Sequence, residues 1–390
     1  MPGTREYDIV LVGATGFTGG LVAEHFARRM PPGTRWAIAG RNAAKLAAVR
    51  DRLGPGTHDV GLLHADVTEP DSMRAIAEST RVLVTTVGPY LLYGEPLVAA
   101  CASAGTDYLD LTSEEEFVDT MYLEHHQRAM ESGARLVHSC GFDSIPHDLG
   151  AYFTVGQLPD GKPVRLAGYV QARGHISSGT YQSVVTAMSR LRAARHATER
   201  RRLAEAPADG RRARVVSGRP HRVSELSAWA VPLPTIDPVT VVRSARALPR
   251  YGPDFAYSHF AAVKHLTTVV AGAAALGGVI GLAQVPPARR LLLGRMAAGS
   301  GPSTEQRSKS WFRIRFVGTG GGARAVTEVS GGDPGYGATA AILAESTLCL
   351  AFDHLPDTSG QVTPAVAMGQ PLIDRLAGAG ISFEVLGVAR

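Results

Sequence analysis

One short loop near the start of the chain constrains its fold more than any other feature. Residues 13–19 read GATGFTG, a GxxGxxG pattern that follows the apolar run Asp8–Gly13 and precedes a helical pattern over Gly16–Arg29. Glycines at this spacing permit a sharp turn, close approach to a pyrophosphate and tight packing of helix on strand, and the helix start attracts an anion. The placement favours a dinucleotide-binding loop over a purely structural turn. The candidate cofactor-binding residues in the loop are Gly13, Thr15, Gly16, Phe17, Thr18 and Gly19.

The loop opens a series of alternating strand and helix patterns. Such alternation predicts an α/β fold with a Rossmann-type, doubly wound parallel sheet, and we expect residues 1–148 to form this dinucleotide-binding domain. The predicted strands are Asp8–Gly13, Arg35–Ala39, Val60–Leu63, Arg81–Val87 and Arg135–Ser139, and the predicted helices are Gly16–Arg29, Ala43–Leu53, Pro70–Ser79 and Pro96–Ala104.

The pattern changes after Pro146. Residues 164–173, 311–320 and 324–331 alternate between apolar and polar side chains over longer runs, which predicts a mainly antiparallel sheet. We therefore expect residues 149–336 to form an inserted α+β domain for substrate binding and dimerisation. Residues 337–390 return to helical patterning and are expected to pack back on the first domain. The predicted helices in this last segment are Ala338–Leu350 and Pro371–Ala379.

The residues after the second predicted strand indicate which dinucleotide binds. An acidic side chain there would accept hydrogen bonds from the ribose hydroxyls of NAD, whereas this chain has Arg41 and Asn42, with Lys45 one turn later. Guanidinium binds phosphate bidentately, so the 2′-phosphate of NADPH is favoured over a merely solvated pair of cations at a helix start. Asp66 ends the third strand and either contacts the adenine amino group or caps the next helix.

Two further strand ends carry candidate site residues. The fourth strand closes with Gly88, Pro89 and Tyr90, and ligands bind at the carboxyl ends of strands in such sheets, so these residues are expected on the nicotinamide side. Residues 139–146 read SCGFDSIP after the fifth predicted strand and form either part of the site or a hinge between domains. The candidate catalytic side chains are Tyr90, Tyr93 and Asp143.

The chain has few features of other functional classes. Its three cysteines are too scattered for a disulfide framework, and none belongs to a Cys or Cys/His cluster with metal-ligand spacing, so no metal is predicted. The net charge of +5 is uneven, because residues 161–250 contain 17 Lys and Arg against 5 Asp and Glu. No nucleic-acid-binding motif accompanies these cations, and no nucleic-acid partner is expected. The short polar N-terminus lacks a signal-peptide pattern, which favours a cytoplasmic protein.

Two segments of the second half have alternative explanations. Arg190–Arg222 holds eleven arginines against three acids, partly on a basic amphipathic helix that is either a solvated face or a docking surface for an acidic carrier or anionic headgroups. Leu266–Ala283 lies in a stretch without Asp, Glu, Lys or Arg between Lys264 and Arg289, which is borderline for a membrane span. Its small residues favour a buried or dimer-interface helix, or a lipid-binding helix on a membrane surface, over a span.

Taken together, the motifs resemble those of the saccharopine dehydrogenase-like oxidoreductases, and within them the actinobacterial trans-acting enoyl reductases. The similarity runs over nearly the full length of the chain. The matching stretches are GATGFTG from Gly13, AGRN from Ala39, VGPY and YGEP from Val87 to Pro96, GFDSIPHDLG from Gly141, YGPDFAYSHFA from Tyr251, GDPGYGATAAILAESTLCLA from Gly332 and TPAVAMGQPLIDRL from Thr363.

The resemblance implies a Rossmann domain with an inserted substrate domain, NADPH as cofactor and reduction of an enoyl double bond in complex lipid synthesis. The expected substrate is a hydrophobic, lipid-like or polyketide acyl chain, either free or on an acyl carrier protein. A ketone or imine reductase and a non-catalytic, lipid-associated NADPH-binding protein are the alternatives. Homodimerisation and peripheral contact with the inner face of the membrane are further expectations.

Overall fold

Two β-sheets organise the chain in a computed structural model. The structure describes residues 5–54, 56–174, 178–205, 210–233, 235–265, 277–279, 281–285, 287–288, 291 and 302–389. The predicted fold class is confirmed: a parallel sheet with helices on its faces is followed by a second, mixed sheet that is mainly antiparallel.

The first sheet contains seven parallel strands. Its order is β3-β2-β1-β4-β5-β6-β14, the doubly wound order with one additional edge strand. Ile9, Val10 and Leu11 are all fully buried, because helices cover both faces of the sheet at its centre. The strands are β1 (Tyr7–Val12), β2 (Trp36–Gly40), β3 (Gly61–His64), β4 (Thr80–Thr85), β5 (Asp107–Leu109), β6 (Arg135–Val137) and β14 (Gly360–Val362).

The helices that follow these strands begin and end with recognisable signals. The first helix ends with Arg28 and Arg29 at the negative end of its dipole, and the fifth ends at Gly105, whose φ is +71°. The helices are α1 (Phe17–Arg29), α2 (Ala43–Arg52), α3 (Pro70–Ser79), α4 (Tyr90–Tyr93), α5 (Glu95–Ala104) and α6 (Glu115–Ser132).

The second sheet has a central pair of parallel strands within an otherwise antiparallel order. That order is β15-β13-β12-β7-β11-β10-β9, with β7 parallel to β11 and with β8 also pairing in parallel with β11. The strands are β7 (Val164–Arg173), β8 (Arg212–Val215), β9 (His221–Val223), β10 (Ala228–Pro232), β11 (Asp254–Val263), β12 (Trp311–Gly320), β13 (Ala323–Gly331) and β15 (Ser382–Ala389).

The remaining helices connect or cover the two sheets. They are α7 (Ile145–Val155), α8 (Ser178–Ser189), α9 (Leu191–Ala204), α10 (Asp237–Ala247), α11 (Thr304–Ser308), α12 (Gly337–Phe352), α13 (Pro364–Ala367) and α14 (Gly369–Gly378). One apolar core joins both sheets, since Ile9 of β1, Phe316 of β12 and Leu348 of α12 belong to the same buried cluster. Gly150 permits α7 to lie against the second sheet, because an added Cβ would be 2.3 Å from the Phe316 ring.

The last segment of the chain contributes to both sheets. Helix α12 is held to α1 by Glu345, which is completely buried and accepts hydrogen bonds from His25 Nε2 (2.8 Å) and Arg29 Nε (3.1 Å). Strand β14 extends the first sheet, whereas β15 pairs with β13 of the second. The domain boundaries at residues 148 and 336 stay predictions.

The basic segment is only partly a solvated surface. Arg201 is buried on α9, where it pairs with Asp119 of α6 (3.2 Å) and with Glu205 (2.6 Å), and its guanidinium lies 4.1 Å from the centre of the Tyr122 ring. It therefore fastens α9 to the first domain and is not available for docking. The neighbouring Arg200 and Arg202 are exposed and remain available for docking.

The apolar segment Leu266–Ala283 lies largely outside the described residues. Within the described part of the chain, no helix combines the length and the apolar character that crossing a bilayer requires.

Candidate active site

The glycine-rich loop lies between β1 and α1. Gly13 has a φ of +94°, a conformation that favours glycine, and the Gly16 amide donates to the Gly13 carbonyl (3.0 Å) to close the turn. A Cβ added to Gly19 would be 2.2 Å from the Gly13 oxygen. The loop thus has the tight turn and the close helix packing expected of a phosphate-binding fingerprint.

Gly16 has a different role from its neighbours. It is exposed, and an added Cβ would meet only the Gly13 oxygen, at 3.4 Å. As the N-cap of α1 it offers no side chain to the first amides of the helix, so these amides are available to an anion. The exposed Thr15 lies beside it. The loop therefore leaves room and donors for a pyrophosphate.

Phe17 makes contacts that the sequence did not indicate. Its ring packs edge-on against Tyr336 with a centroid distance of 4.7 Å, and the Arg307 guanidinium lies 5.8 Å from its centre. Phe17 therefore links the loop to Tyr336, the residue directly before α12. Thr18 follows it in the first turn of α1.

The structure places the predicted NADPH-selective cations at the carboxyl end of β2. Arg41 and Lys45 are exposed, and Asn42 caps α2 by accepting a hydrogen bond from the Lys45 amide (2.9 Å). Asp66 follows the adjacent β3, where its Oδ1 accepts from the Thr68 amide (3.0 Å) and hydroxyl (2.8 Å). These bonds lower its pKa, and the charge of Arg41 contributes in the same direction. Arg41 and Asp66 thus share one corner of the sheet.

The loop after β4 positions Gly88 and Pro89 ahead of the short helix α4. Gly88 is exposed and Pro89 half-buried. Glu114 anchors the loop, since its carboxylate accepts hydrogen bonds from the amides of Tyr90 (3.1 Å) and Leu91 (2.8 Å). Sequence reasoning missed Glu114, although it stands among other acids just before α6.

Tyr90 is placed as a brace for this loop. Its ring is buried, its hydroxyl donates to the Thr85 carbonyl (3.2 Å) and accepts from the Leu111 amide (3.1 Å), and burial raises its pKa well above 10. The geometry therefore favours a positioning role over the predicted role of proton donor. Tyr93, at the end of α4, has 40% of its surface exposed.

Asp143 lies in the turn between β6 and α7. It is half-buried, and burial raises its pKa to about 7, with the charge of Asp237 adding to the effect. A carboxyl with such a pKa carries its proton in a large fraction of molecules near neutral pH. Asp143 is therefore able to donate a proton near neutral pH, and its predicted catalytic role stays a prediction.

A buried Asp–His pair adjoins the same edge of the sheet and was not predicted. Asp110 follows β5 and accepts from His138, which follows β6, with 2.6 Å between Oδ2 and Nδ1. The Ser139 amide donates to the other carboxylate oxygen (2.9 Å). His138 Nε2 has no hydrogen-bond partner in the described part of the chain, and the ring lines a cavity of about 270 Å³. The sequence signal that could have indicated this pair is the polar residue that directly follows each of two buried strands.

The chain is similar to known proteins over its whole length. Residues 9–137 match the model of the saccharopine dehydrogenase NADP binding domain. A trans-acting enoyl reductase of Mycobacterium tuberculosis is 38% identical over 100% of this chain and 99% of its own length. One from Mycobacterium ulcerans is 36% identical over 97% of both chains. The solved structure of saccharopine dehydrogenase (L-Glu forming) from Saccharomyces cerevisiae covers 98% of this chain with a TM-score of 0.57 and 12% identity, which shows a shared fold.

Proposed function

We propose that this chain, which belongs to the trans-acting enoyl reductase family, reduces the carbon–carbon double bond of a 2-enoyl thioester that carries a hydrophobic acyl chain. The family and the NADP-binding domain together make the chain an NADPH-dependent oxidoreductase. The nature of the substrate is the part that we propose.

The observation that carries the proposal is the shared edge of the first sheet. The exposed Gly16 loop, the exposed Arg41 and the half-buried Asp143 all follow carboxyl ends of strands in this one sheet. The first two fit the pyrophosphate and the 2′-phosphate of NADPH. Asp143 follows β6, in the half of such sheets that receives the nicotinamide, which supports it as the proton source in this proposal.

The residues of the chain divide the reaction between binding and proton supply. Bound NADPH supplies a hydride, which an enoyl thioester accepts at its β-carbon. Glu114 and Tyr90 hold the loop that carries Gly88 and Pro89 in place. Asp143 delivers the proton that the α-carbon requires, and Tyr93 is the other candidate donor.

A hydrophobic acyl chain suits the surface beside this loop. Leu92 exposes 63% of its surface and adjoins the exposed Tyr93 on α4. These two large side chains lie next to the loop that is expected on the nicotinamide side, and they are candidates for contact with an acyl chain. By contrast, a small and highly charged amino-acid substrate would require convergent charges that α4 does not present.

The test uses purified full-length chain with NADPH and matched substrates. Short-chain and long-chain 2-enoyl thioesters are compared with the corresponding 3-oxoacyl thioesters and with a 2-oxo acid plus an amine, and NADPH oxidation is followed together with product mass. We expect turnover of enoyl thioesters with preference for the longer chain. Leu92→Ser is expected to raise KM for the long-chain substrate more than for the short-chain one. Preferred turnover of the 3-oxoacyl or imine substrate would instead establish the ketone or imine reductase.

The proton donor is tested with Asp143→Asn. General acids contribute about 100- to 10,000-fold, so kcat should fall by about 100-fold or more while NADPH affinity is kept. Asp71→Asn is the matched control, because Asp71 is an exposed carboxylate of α3 that pairs with Arg74. A larger loss in Tyr93→Phe than in Asp143→Asn would assign the proton to Tyr93. Tight NADPH binding without oxidation by any substrate would indicate a non-catalytic protein.

A further inference from the structure

Three buried side chains from three elements converge beside the candidate active site. They are His147 in the first turn of α7, Asp237 at the start of α10 and His259 on β11, and each exposes 5% of its surface or less. One ligand atom from each lies within 4.8 Å of the other two. The cluster belongs to neither the glycine-rich loop nor the Asp110–His138 pair.

The contacts within this cluster are close but are not aligned as hydrogen bonds. His147 Nδ1 lies 3.3 Å from Asp237 Oδ1, and His259 Nε2 lies 3.5 Å from Asp237 Oδ2. Nevertheless His147 Nδ1, Asp237 Oδ1 and His259 Nε2 have no hydrogen-bond partner in the described part of the chain. Buried polar atoms without partners are costly, and three of them within one cluster indicate a shared ligand.

Neighbouring groups hold two of the three side chains, His259 and Asp237, in orientation. The other ring nitrogen of His259, Nδ1, lies 3.1 Å from the Tyr257 hydroxyl, and the Thr235 hydroxyl donates to Asp237 Oδ2. Metal-binding histidines and carboxylates are typically oriented in this way by second partners.

The spacing of His147 and Asp237 agrees with tetrahedral coordination. Zinc–nitrogen and zinc–oxygen bonds of about 2.0 to 2.1 Å place neighbouring ligand atoms about 3.3 to 3.4 Å apart in a tetrahedron. The 3.3 Å between His147 Nδ1 and Asp237 Oδ1 matches this edge, whereas His259 Nε2 lies 3.5 Å from the other carboxylate oxygen, Oδ2. An octahedral site with similar bonds would bring its neighbouring ligands to about 3 Å.

We propose that His147, Asp237 and His259 bind one divalent transition-metal ion, with Zn²⁺ as the expected occupant. Two imidazoles and one carboxylate are a ligand set that zinc accepts, and three protein ligands leave a position for water. The ion would link α7 and α10 to β11 of the second sheet. This inference is independent of the proposed substrate.

The first experiment measures metal content and stability of the full-length chain. The protein is purified without a metal-affinity step, equilibrated with Zn²⁺, dialysed and analysed by mass spectrometry of the elements. We expect about one zinc per chain and a lower melting temperature after treatment with a strong chelator. Substitution of Co²⁺ should give the visible absorption of a tetrahedral site. A chain that retains no zinc, melts at the same temperature with chelator and gives no Co²⁺ spectrum would overturn the proposal.

The second experiment locates the ion. His259→Gln and His147→Asn should each lower zinc affinity by at least about 100-fold in competition with a chromogenic chelator. His125→Asn is the matched control, because His125 lies with Glu95 and Glu124 in a second cluster whose two acids are exposed. Unchanged affinity in folded His259→Gln, or loss of the zinc in His125→Asn, would contradict the assignment. If either buried variant fails to fold, the Co²⁺ spectrum of the unmodified chain decides.

Discussion

Replacing Arg41 by alanine should selectively weaken NADPH. Arg41 is exposed at the carboxyl end of β2, and no hydrogen bond or ion pair engages it among the described residues, so its removal leaves the fold intact. A charge-assisted phosphate contact contributes about 1.5 to 3 kcal/mol, and partial exposure places this one in the lower half of that range. About 1.5 to 2 kcal/mol corresponds to a Kd about 10- to 30-fold weaker.

The assay is a calorimetric titration of both dinucleotides into each variant. NADH lacks the 2′-phosphate, so its Kd should change by less than about threefold in Arg41→Ala. Lys45→Ala is a useful companion, because Lys45 is also exposed but lies one turn into α2 and should have a smaller effect. Equal losses for NADPH and NADH in Arg41→Ala would refute the reasoning, since they would mean that the guanidinium contacts a group common to both cofactors.

Three further predictions follow from other parts of the structure. Gly16→Val should remove dinucleotide binding, because the new side chain would occupy the space that the pyrophosphate needs, while circular dichroism stays native, because an added Cβ meets only the Gly13 oxygen at 3.4 Å. Gly19→Ala should instead disrupt the loop, because its Cβ would be 2.2 Å from the Gly13 oxygen. Native NADPH affinity in Gly16→Val would contradict the role of Gly16. Glu345→Gln should destabilise the chain by about 2 to 3 kcal/mol at neutral pH, since a buried carboxylate loses its charge beside His25 and Arg29. These partners lower the pKa of Glu345, so its stabilisation is complete above the ordinary pKa and fades as pH falls through the lowered value; urea titrations that show the same difference at all pH values would refute it. Replacing the exposed Arg192, Arg195, Arg200 and Arg202 by Gln, with Arg201 left intact, should weaken binding to an acidic acyl carrier protein or to anionic vesicles in a salt-dependent manner; binding equal to that of the unmodified chain would leave α9 as a solvated face.

Much of the first sheet was predictable because its strands are local and apolar. The glycine-rich loop, β1 to β4 and the helices between them were all indicated by short runs with clear boundaries. Strands β5 and β14 have only three residues each and were missed, whereas β6, which is equally short, was predicted. Helix α6 was missed as well. Its buried face includes Glu116 and Asp119, which pair with Arg190 and Arg201, so no apolar stripe marks it.

The site residues could also be predicted only where their signal lies within one short stretch of sequence. The residues that follow one strand, such as Arg41 or Gly88, could be identified from the local sequence. The Asp110–His138 pair and the cluster of His147, Asp237 and His259 could not, because their members come from separate elements that only the fold brings together. The charge pattern was also an ambiguous guide to exposure, because Arg201 is buried although it belongs to an arginine-rich run that is typical of a solvated surface. Its partners on α6 decide its environment.

The central claim, that hydride is delivered to an enoyl carbon, has a direct test. The full-length chain is incubated with a long-chain 2-enoyl thioester and NADPH that carries deuterium on the hydride-donating carbon, and the product is examined by nuclear magnetic resonance and mass spectrometry. We expect a saturated thioester with deuterium at the β-carbon and a proton from solvent at the α-carbon. Deuterium at the carbonyl carbon, or an unchanged double bond with NADPH still bound, would contradict it.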